Sequence, residues 1–321
     1  MTDLDNPLAF VANVPVVVAL YSSGAIISQC TSDYRIASRC RSGVISNRMA
    51  EHGPPLQMLA CMTHDYLLCF STCGYMHLKP VHELSNREPF YFDDGILSQN
   101  TSTGFGRICV LAAIPDFVQE CFVVMVTSSG HIKRIAADDL RNTGRRALRV
   151  IRHEESSHLA GVAVTRGNHT IALATRNGKI LRFRENQIPF MGRHARGVRG
   201  IKLQDDDQVV SLLSCESATV SLLATTHSGY CKSCPLSAFP SHRRGTRGVK
   251  IFGGRRSDSL SSAALITSTD KVLYAVSSNQ LMVRWSIEIP EGSRRAQGRK
   301  LDQLGAENYI ECAGLIPESY R

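Results

Sequence analysis

Residues 170–184, TIALATRNGKILRFR, contain two short β-rich runs separated by a small turn. Polar and apolar side chains alternate after the turn, which is the pattern of a strand with two unlike faces. Asn177-Gly178 is a strong hairpin signal, and we predict a type I′ turn there, with a positive φ at both central positions. The stretch therefore predicts a β-hairpin.

Similar turns recur along the chain at nearly regular intervals. They are Ser22-Ser23-Gly24, Thr72-Cys73-Gly74, Ser128-Ser129-Gly130, Arg176-Asn177-Gly178, His227-Ser228-Gly229 and Ser277-Ser278-Asn279. A period near fifty indicates structural repeats, and about four strands per repeat is typical of a propeller blade. Helical periodicity is nearly absent outside short stretches such as residues 136–140. We predict an all-β fold, a ring of six four-stranded blades.

The repeat also divides the chain into segments. We expect a flexible lead-in at residues 1–13 and a six-bladed domain at residues 14–310. A tail at residues 311–321 either closes the ring or hangs free. The predicted blades lie near residues 14–60, 61–115, 116–165, 166–215, 216–265 and 266–310.

Composition narrows the classes of partner. Of the 321 residues, 37 are Lys or Arg and 28 are Asp or Glu, a formal net charge of +9. This excess favours a polyanion such as DNA, RNA or an anionic membrane surface, although a basic but inert surface is also compatible with it. The eleven cysteines are irregularly spaced and no secretory signal follows Met1, so we expect free thiols and a cytoplasmic location.

No cofactor or metal site is predicted. Cys231 and Cys234 form a lone CxxC, but residues three apart on a strand point to opposite faces and do not easily share a metal or a disulfide. The acidic run at residues 205–207 is expected to be a solvated turn. Glycine-rich nucleotide-binding loops are absent from the sequence, so no small-molecule substrate is expected.

Basic, glycine-containing loops follow four of the turns. Their sequences are GRRALR at 144–149, GRHARGVRGIKL at 192–203, SHRRGTRGVKI at 241–251 and GSRRAQGRKL at 292–301. The pattern RGxRGxK at residues 196–202 recurs without a gap at residues 244–250, so that Val198 would be the equivalent of Thr246. Four such loops in consecutive repeats predict a continuous cationic surface, whereas a single one is more simply a solvated turn.

These loops predict contacts with the phosphates of duplex DNA, without strong sequence preference. Guanidinium groups bind phosphate oxygens bidentately, and glycines let the backbone come close to a bulky ligand. The predicted DNA-binding residues are Arg145, Arg146, Arg149, Arg193, Arg196, Arg199, Lys202, Arg243, Arg244, Arg247, Lys250, Arg294, Arg295, Arg299 and Lys300, with Gly197, Gly200, Gly245 and Gly248 for close approach. The alternative is a propeller that binds another protein, with incidentally basic loops.

The repeats resemble the C-terminal domain of the DNA gyrase A subunit, and that of the related topoisomerase IV subunit. The resemblance is carried by residues 191–203, 207–212, 228–239 and 244–248, and it covers about residues 14–310. It implies a six-bladed β-pinwheel whose basic outer rim binds, bends and wraps duplex DNA at the nucleoid. Such a domain would act in trans with a topoisomerase core or alone as an architectural protein.

Two departures from that family qualify the expectation. The glycine-rich gyrase box of the first blade is degenerate at residues 35–43, and its nearest copy here lies at residues 242–248. This places chiral wrapping in doubt. A breakage–reunion domain and an Arg-Tyr cleavage motif are not recognisable in the sequence, so we expect no DNA cleavage and at most a non-catalytic part of a type IIA topoisomerase.

Overall fold

The fold is all-β in the part of the chain that the structure, a computed structural model, describes. The described residues are 11–34, 44–45, 47–92, 106–115, 117, 121–141, 147–152, 154, 156–204, 206–216, 219–253, 258–301, 304 and 307–320. In these ranges the strands are β1 Pro15–Tyr21, β2 Ile26–Cys30, β3 Val44–Ile45, β4 Pro55–Met62, β5 Tyr66–Ser71, β6 Tyr75–Pro80, β7 Ile108–Ile114, β8 Phe122–Thr127, β9 His131–Ala136, β10 Leu148–Arg149, β11 Leu159–Thr165, β12 Thr170–Thr175, β13 Lys179–Arg184, β14 Val198–Arg199, β15 Val209–Cys215, β16 Ser221–Thr226, β17 Tyr230–Pro235, β18 Val249–Lys250, β19 Leu260–Ile266, β20 Lys271–Val276, β21 Gln280–Trp285, β22 Arg299–Lys300 and β23 Ile310–Ile316.

In the described residues, helical structure is limited to short pieces. One α-helix, α1 at Asn47–His52, was not predicted from the sequence. The described 3₁₀ turns are Thr31–Asp33, Val81–Glu83, Asp138–Leu140, Glu185–Gln187, Leu236–Ala238, Ser286–Glu288 and Glu318–Tyr320. Six of the seven begin directly after the second strand of a hairpin or within two residues of it, so they are part of the repeat.

All six predicted hairpins form, as β1–β2, β5–β6, β8–β9, β12–β13, β16–β17 and β20–β21. The predicted type I′ turn at Asn177-Gly178 is wrong. Gly178 has a φ of 69°, but Asn177 is not among the described residues with a positive φ. The Gly178 amide donates to the Thr175 carbonyl at 2.9 Å. This is a three-residue loop that ends in a left-handed glycine, the next most common hairpin type.

Hydrogen bonding divides the described strands into five sheets, not the six separate blades predicted. Four sheets have four strands each. The fifth has seven, in the order β2-β1-β4-β23-β20-β21-β3, because a parallel pair between Leu59 of β4 and Leu315 of β23 joins the first repeat to the last. The six hairpins are therefore arranged in five sheets. The segment after Ile310 belongs to the ring, since β23 also pairs with β20.

In the described residues, the third to sixth repeats each give a short strand to the preceding sheet. The two-residue strands β10, β14, β18 and β22 pair with β6, β9, β13 and β17, and each comes from the loop that follows the next hairpin. The same exchange closes the ring, because β3 of the first repeat pairs with β21 of the last. A propeller-like ring with exchanged outer strands is the result.

The hydrophobic core consists of six clusters in the described residues, one between each pair of neighbouring repeats. Val124 and Leu173, for example, meet between the third and fourth hairpins. The cluster containing Val17 and Leu273 joins the first repeat to the last. Both faces of the hairpins are thus buried, which explains why apolar residues occupy both alternating sets of positions in β12 and β13.

The long strand that follows each hairpin faces the centre of the ring and contacts its counterparts in the neighbouring repeats. These strands are β4, β7, β11, β15, β19 and β23. The Gln57 side chain of β4 exchanges two hydrogen bonds, 2.7 and 2.8 Å, with the backbone of Leu111 in β7. Likewise, the Ala263 amide of β19 donates to Ser211 Oγ of β15 at 3.1 Å. With the inner edges packed in this way, the short exchanged strands lie at the outer rim.

Cys231 and Cys234 lie on opposite faces of β17 as expected, buried in two different clusters. The described residues contain no cluster of three or more metal-ligating side chains. They also include no helix with the length and apolar character needed to cross a bilayer.

Candidate nucleic-acid interface

The basic loops run along the outer edge of the ring. We call the segments 147–151, 192–203, 241–253 and 292–301 the basic belt. Each contains one exchanged two-residue strand: β10, β14, β18 or β22. Because these strands are the outermost in their sheets, the belt lies on the rim and its side chains are available to a large ligand.

Strand pairing corrects the alignment of the two most similar loops. Val198 pairs with Ile132, and Val249 pairs with Ile180. Ile132 and Ile180 are both the second residue of the second hairpin strand, so the equivalent of Val198 is Val249 and not Thr246. The gap-free match was therefore wrong in register, because the repeated RGxRGxK pattern hides three additional positions in the later loop.

Neighbouring loops of the belt are hydrogen-bonded to each other through their backbones. The Gly245 amide donates to the Gly200 carbonyl at 2.7 Å, and the Lys202 amide donates to the Thr246 carbonyl at 2.9 Å. Farther along, the Gly253 amide contacts the Ala296 carbonyl at 3.4 Å. The loops of the last three repeats therefore form one continuous surface.

Most of the predicted DNA-binding side chains in the described residues are exposed on this surface. The exposed ones are Arg149, Arg196, Arg199, Lys202, Arg243, Arg247, Lys250, Arg295, Arg299 and Lys300, and the partly buried ones are Arg193, Arg244 and Arg294. Arg145 and Arg146 lie outside the described residues. The structure thus brings the described members of the predicted set to one rim.

Two of these arginines have hydrogen-bonding or ionic partners among the described residues. Arg196 forms an ion pair with Glu154. Arg244 donates from Nε to the Gln187 carbonyl at 2.9 Å and from its guanidinium to the Arg199 carbonyl. Arg244 therefore connects two loops of the belt, a role that the sequence pattern did not reveal.

The close approach at Gly197 and Gly248 is to protein backbone. Their φ angles are 96° and 69°, which favour glycine strongly. A Cβ at Gly197 would lie 2.7 Å from the Ile132 carbonyl oxygen, and one at Gly248 would lie 2.6 Å from that of Ile180. These glycines let the exchanged strands pack on β9 and β13. Close approach of DNA to them stays a prediction.

Two buried lysines behind the belt were not identified from the sequence. Lys133 and Lys232 are the third residues of β9 and β17, and their side chains are 0% and 1% exposed. Each ammonium contacts four backbone carbonyls of the belt. The only sequence signal is a lysine three residues after the turn glycine, at Gly130 and again at Gly229.

The acidic run at residues 205–207 has a structural role at its last position. The prediction of a solvated turn is wrong for Asp207, which is buried. Its Oδ1 accepts hydrogen bonds from the amides of Asn177 at 2.9 Å and Gln208 at 3.0 Å. Asp258 makes the equivalent bond to the Ser228 amide in the next repeat, at 3.2 Å. These carboxylates hold the hairpin turns beside the belt.

Three comparisons with known proteins agree with this architecture. The family model described as "DNA gyrase C-terminal domain, beta-propeller" matches residues 122–166, 169–216 and 221–266. The DNA gyrase A protein of Haemophilus influenzae is 27% identical over 94% of this chain and 37% of its own length. The corresponding protein of Escherichia coli is 28% identical over 88% of this chain and 32% of its own length. The chain thus spans about a third of the length of these relatives.

Solved structures share the fold. A gyrase A C-terminal domain superposes with a TM-score of 0.81 at 19% identity, covering 94% of this chain and 99% of that one. The C-terminal domain of a DNA topoisomerase IV gives 0.70 at 21% identity, covering 96% and 95%. The chain is therefore similar to DNA gyrase A C-terminal domains in three matched repeats, and it shares their fold over most of its length.

Proposed function

We propose that this protein binds duplex DNA without strong sequence preference and bends it along the basic belt. The observation that carries the proposal is the continuity of the belt. Backbone hydrogen bonds join its loops, from Gly200 to Gly245 and from Lys202 to Thr246, beneath a row of exposed cations. A set of separate basic turns would give no such track.

Phosphate neutralisation supplies the affinity in this proposal. Each Lys or Arg that contacts a phosphate releases condensed counterions, an effect that does not depend on base sequence. Bending a site of 20–30 base pairs by 40–90° costs about 1–6 kcal/mol, which several phosphate contacts can offset. The ten exposed cations of the described belt are enough for this purpose.

The finer parts of the proposal concern architecture and context. We propose that the six hairpins, each with its neighbouring strands, act as six blades in DNA binding. The first and last of them share one hydrogen-bonded sheet, so the described residues contain five sheets. The domain would work at the bacterial nucleoid, either with a topoisomerase core or alone. We assign it no cleavage chemistry of its own.

Fluorescence anisotropy with two unrelated labelled duplexes tests the binding. Affinity should be the same for both duplexes and should fall by about 10³-fold or more between 50 and 200 mM salt if six or more phosphates are contacted. An affinity that is independent of salt, or limited to one sequence, would contradict the proposal. If the chain did not bind DNA but bound another protein with an affinity independent of salt, the alternative of a protein-binding module would be supported.

A topoisomer assay tests the bending. Nicked plasmid is sealed by ligase with and without the protein, and the linking number of the product is measured. A net change in linking number indicates wrapping with a definite hand. A second assay measures whether the protein promotes the circularisation of short linear DNA by ligase. Circularisation without a change in linking number indicates bending alone. If the protein binds DNA but produces neither effect, the bending part of the proposal is wrong.

A further inference from the structure

Lys133 and Lys232 hold the backbone of the basic belt from within. Lys133 Nζ lies 2.8 Å from the Val150 carbonyl in one belt segment, and 2.9 and 3.0 Å from those of Gly192 and Arg193 in the next. A fourth carbonyl, that of Ala195, is at 3.3 Å. The ammonium therefore connects the segments of two consecutive repeats.

Lys232 repeats this arrangement two hairpins further along the chain. Its Nζ lies 2.6 Å from the Ile251 carbonyl, and 3.2, 2.9 and 3.0 Å from those of Ser293, Arg294 and Ala296. Within the described part of the chain, neither ammonium forms an ion pair with a carboxylate. Among the described residues, carbonyl dipoles compensate the charge and, for Lys232, so does the ring of Phe252 at 5.0 Å.

The repeat between them uses a different connection. The equivalent third residue of β13 is Leu181, which is fully buried in the apolar cluster. At this junction the loops are joined by the Arg244 guanidinium, which reaches the carbonyls of Gln187 and Arg199. A leucine is thus tolerated at this place in the repeat, but there a cation from the loop replaces the missing lysine.

We propose that Lys133 and Lys232 are positioning residues for DNA binding, which hold loops 192–196 and 293–296 in the shape that presents their arginines to phosphate. This inference rests on the proposed function. Four carbonyls around one buried cation leave the loop backbone few alternatives, so the arginines lose less freedom when DNA binds. Neither lysine would touch DNA itself.

If Lys133 and Lys232 position the loops, DNA affinity should depend on the protonation of their amino groups. A role in packing alone would not give this dependence. Burial lowers the pKa of both lysines to about 8. A neutral amine has two hydrogens and a lone pair, so it cannot serve four carbonyl acceptors. DNA affinity should therefore fall as the pH rises through about 8.

Two other ionisable groups near the lysines have pKa values shifted away from this range. On β9 the pKa of His131 is lowered by burial, and on β17 the pKa of Cys234 is raised by burial. Other charged or titratable side chains on the packed segments include Arg134, Arg149, Arg152, Glu154, Arg193, His194 and Arg196 around Lys133, and Tyr230, Cys231, Lys250, Glu291, Arg294 and Arg295 around Lys232.

The pH dependence of stability has the opposite sign. The lysines titrate near 8 in the folded protein but near 10.5 in the unfolded chain, so the unfolded chain binds more protons between these values. Their contribution to the free energy of unfolding therefore increases with pH in this window. Weaker DNA binding there would not be a consequence of unfolding.

The test compares wild type with the double variant K133L/K232L, using a mixed-sequence duplex at pH 7 and pH 9. We expect the variant to bind about tenfold more weakly at pH 7, with an unchanged salt slope, because the arginines must then be ordered on binding. Wild type should lose a similar factor by pH 9, and the variant should show no such loss. K79Q, which removes one charge outside the belt, is the control and should behave as wild type.

The possible failures can be told apart. Equal affinity of wild type and a folded double variant, or a pH-independent wild type, would overturn the inference alone. If wild type bound no DNA, the proposed function would be wrong. Amide hydrogen exchange without DNA would then test whether the two lysines hold the loops. Exchange should accelerate in residues 192–196 and 293–296 of the variant but not in residues 243–246. If the variant did not fold, the wild-type pH profile would decide.

Discussion

The first third of the chain and the remainder share one fold but differ in charge. Residues 1–106 contain six Lys and Arg against nine Asp and Glu, a net charge of −3, whereas residues 107–321 contain 31 against 19, a net charge of +12. Both parts form the same hairpins with buried faces. The apolar pattern thus specifies the ring, and the loops separately specify where a polyanion can bind.

The cations of the first part and of the belt differ in how often they are paired, since in the described part of the belt only Arg196 forms an ion pair. In the first part, Arg48 forms an ion pair with Glu51, and Lys79 with Glu83. In the belt, Arg199, Lys202 and Arg247 are exposed on a common rim. Surface ion pairs contribute little to stability, but they do neutralise the local field. We therefore expect DNA to follow an arc of the ring formed mainly by the later repeats.

The largest effect should come from neutralising the belt. The variant R199Q/K202Q/R247Q/K250Q removes four exposed cations and leaves the structural Arg244 in place. We expect the salt slope to fall by roughly 3.6 units, at about 0.9 per phosphate contact, and affinity at 100 mM salt to drop about 100-fold or more. Anisotropy titrations at several salt concentrations measure both quantities.

The matched control is R48Q/K79Q/R87Q, which removes three cations from the first part of the chain. Its salt slope should stay within about one unit of that of wild type. A comparable loss in both variants would show that net charge alone governs binding and that the belt has no special place in it.

A smaller effect is expected from changing one glycine of the belt. In Gly197→Ala the added methyl would collide with the Ile132 carbonyl at a positive φ, so β14 should detach from β9. We expect a loss of about 1–3 kcal/mol in the free energy of unfolding, measured by denaturant titration. Gly192→Ala, where a Cβ meets only open space except for its chain neighbours, should change it by less than about 0.5 kcal/mol. Equal losses would contradict this account.

The smallest effect concerns His77, which occupies in the first part the place of Lys133 in the second. Burial lowers the pKa of His77 below its ordinary value of 6.5. The unfolded chain therefore binds more protons as the pH falls below 6.5, and stability should decrease there by at most about 1.4 kcal/mol per pH unit. Denaturant unfolding of His77→Leu at pH 5 and 7 should show a reduced decrease. An unchanged pH dependence would exclude His77 as its source.

The positions of the hairpins were predictable from the sequence, but the joining of the first repeat to the last in one sheet was not. Each hairpin depends on a turn and its two flanking runs, so the six turns were found correctly. The pairing of β4 with β23 joins Leu59 to Leu315, near opposite ends of the chain, and no local pattern specifies it. The six-blade prediction therefore missed the joined seven-stranded sheet.

The candidate interface shows the same limit. Arginine-rich loops in a regular period indicated the belt, and all described members of the predicted set lie on it. The sequence did not show that Arg244 bonds to backbone carbonyls, because side-chain partners depend on how two loops meet. Nor did it show the burial of Lys133, since a lysine in an alternating strand is expected to face water.

Ring closure also limits how this protein can change. An open stack of repeats can gain or lose a unit, provided that its two ends are capped. Here β3 is held by β21 and β4 by β23, so neither end of the series is free. Deleting one whole repeat would remove both a donor and an acceptor of an exchanged strand and would alter the curvature at every remaining junction. The number of repeats is thus fixed by closure of the whole ring. We expect deletions of a single repeat to be far less tolerated than insertions into a surface loop.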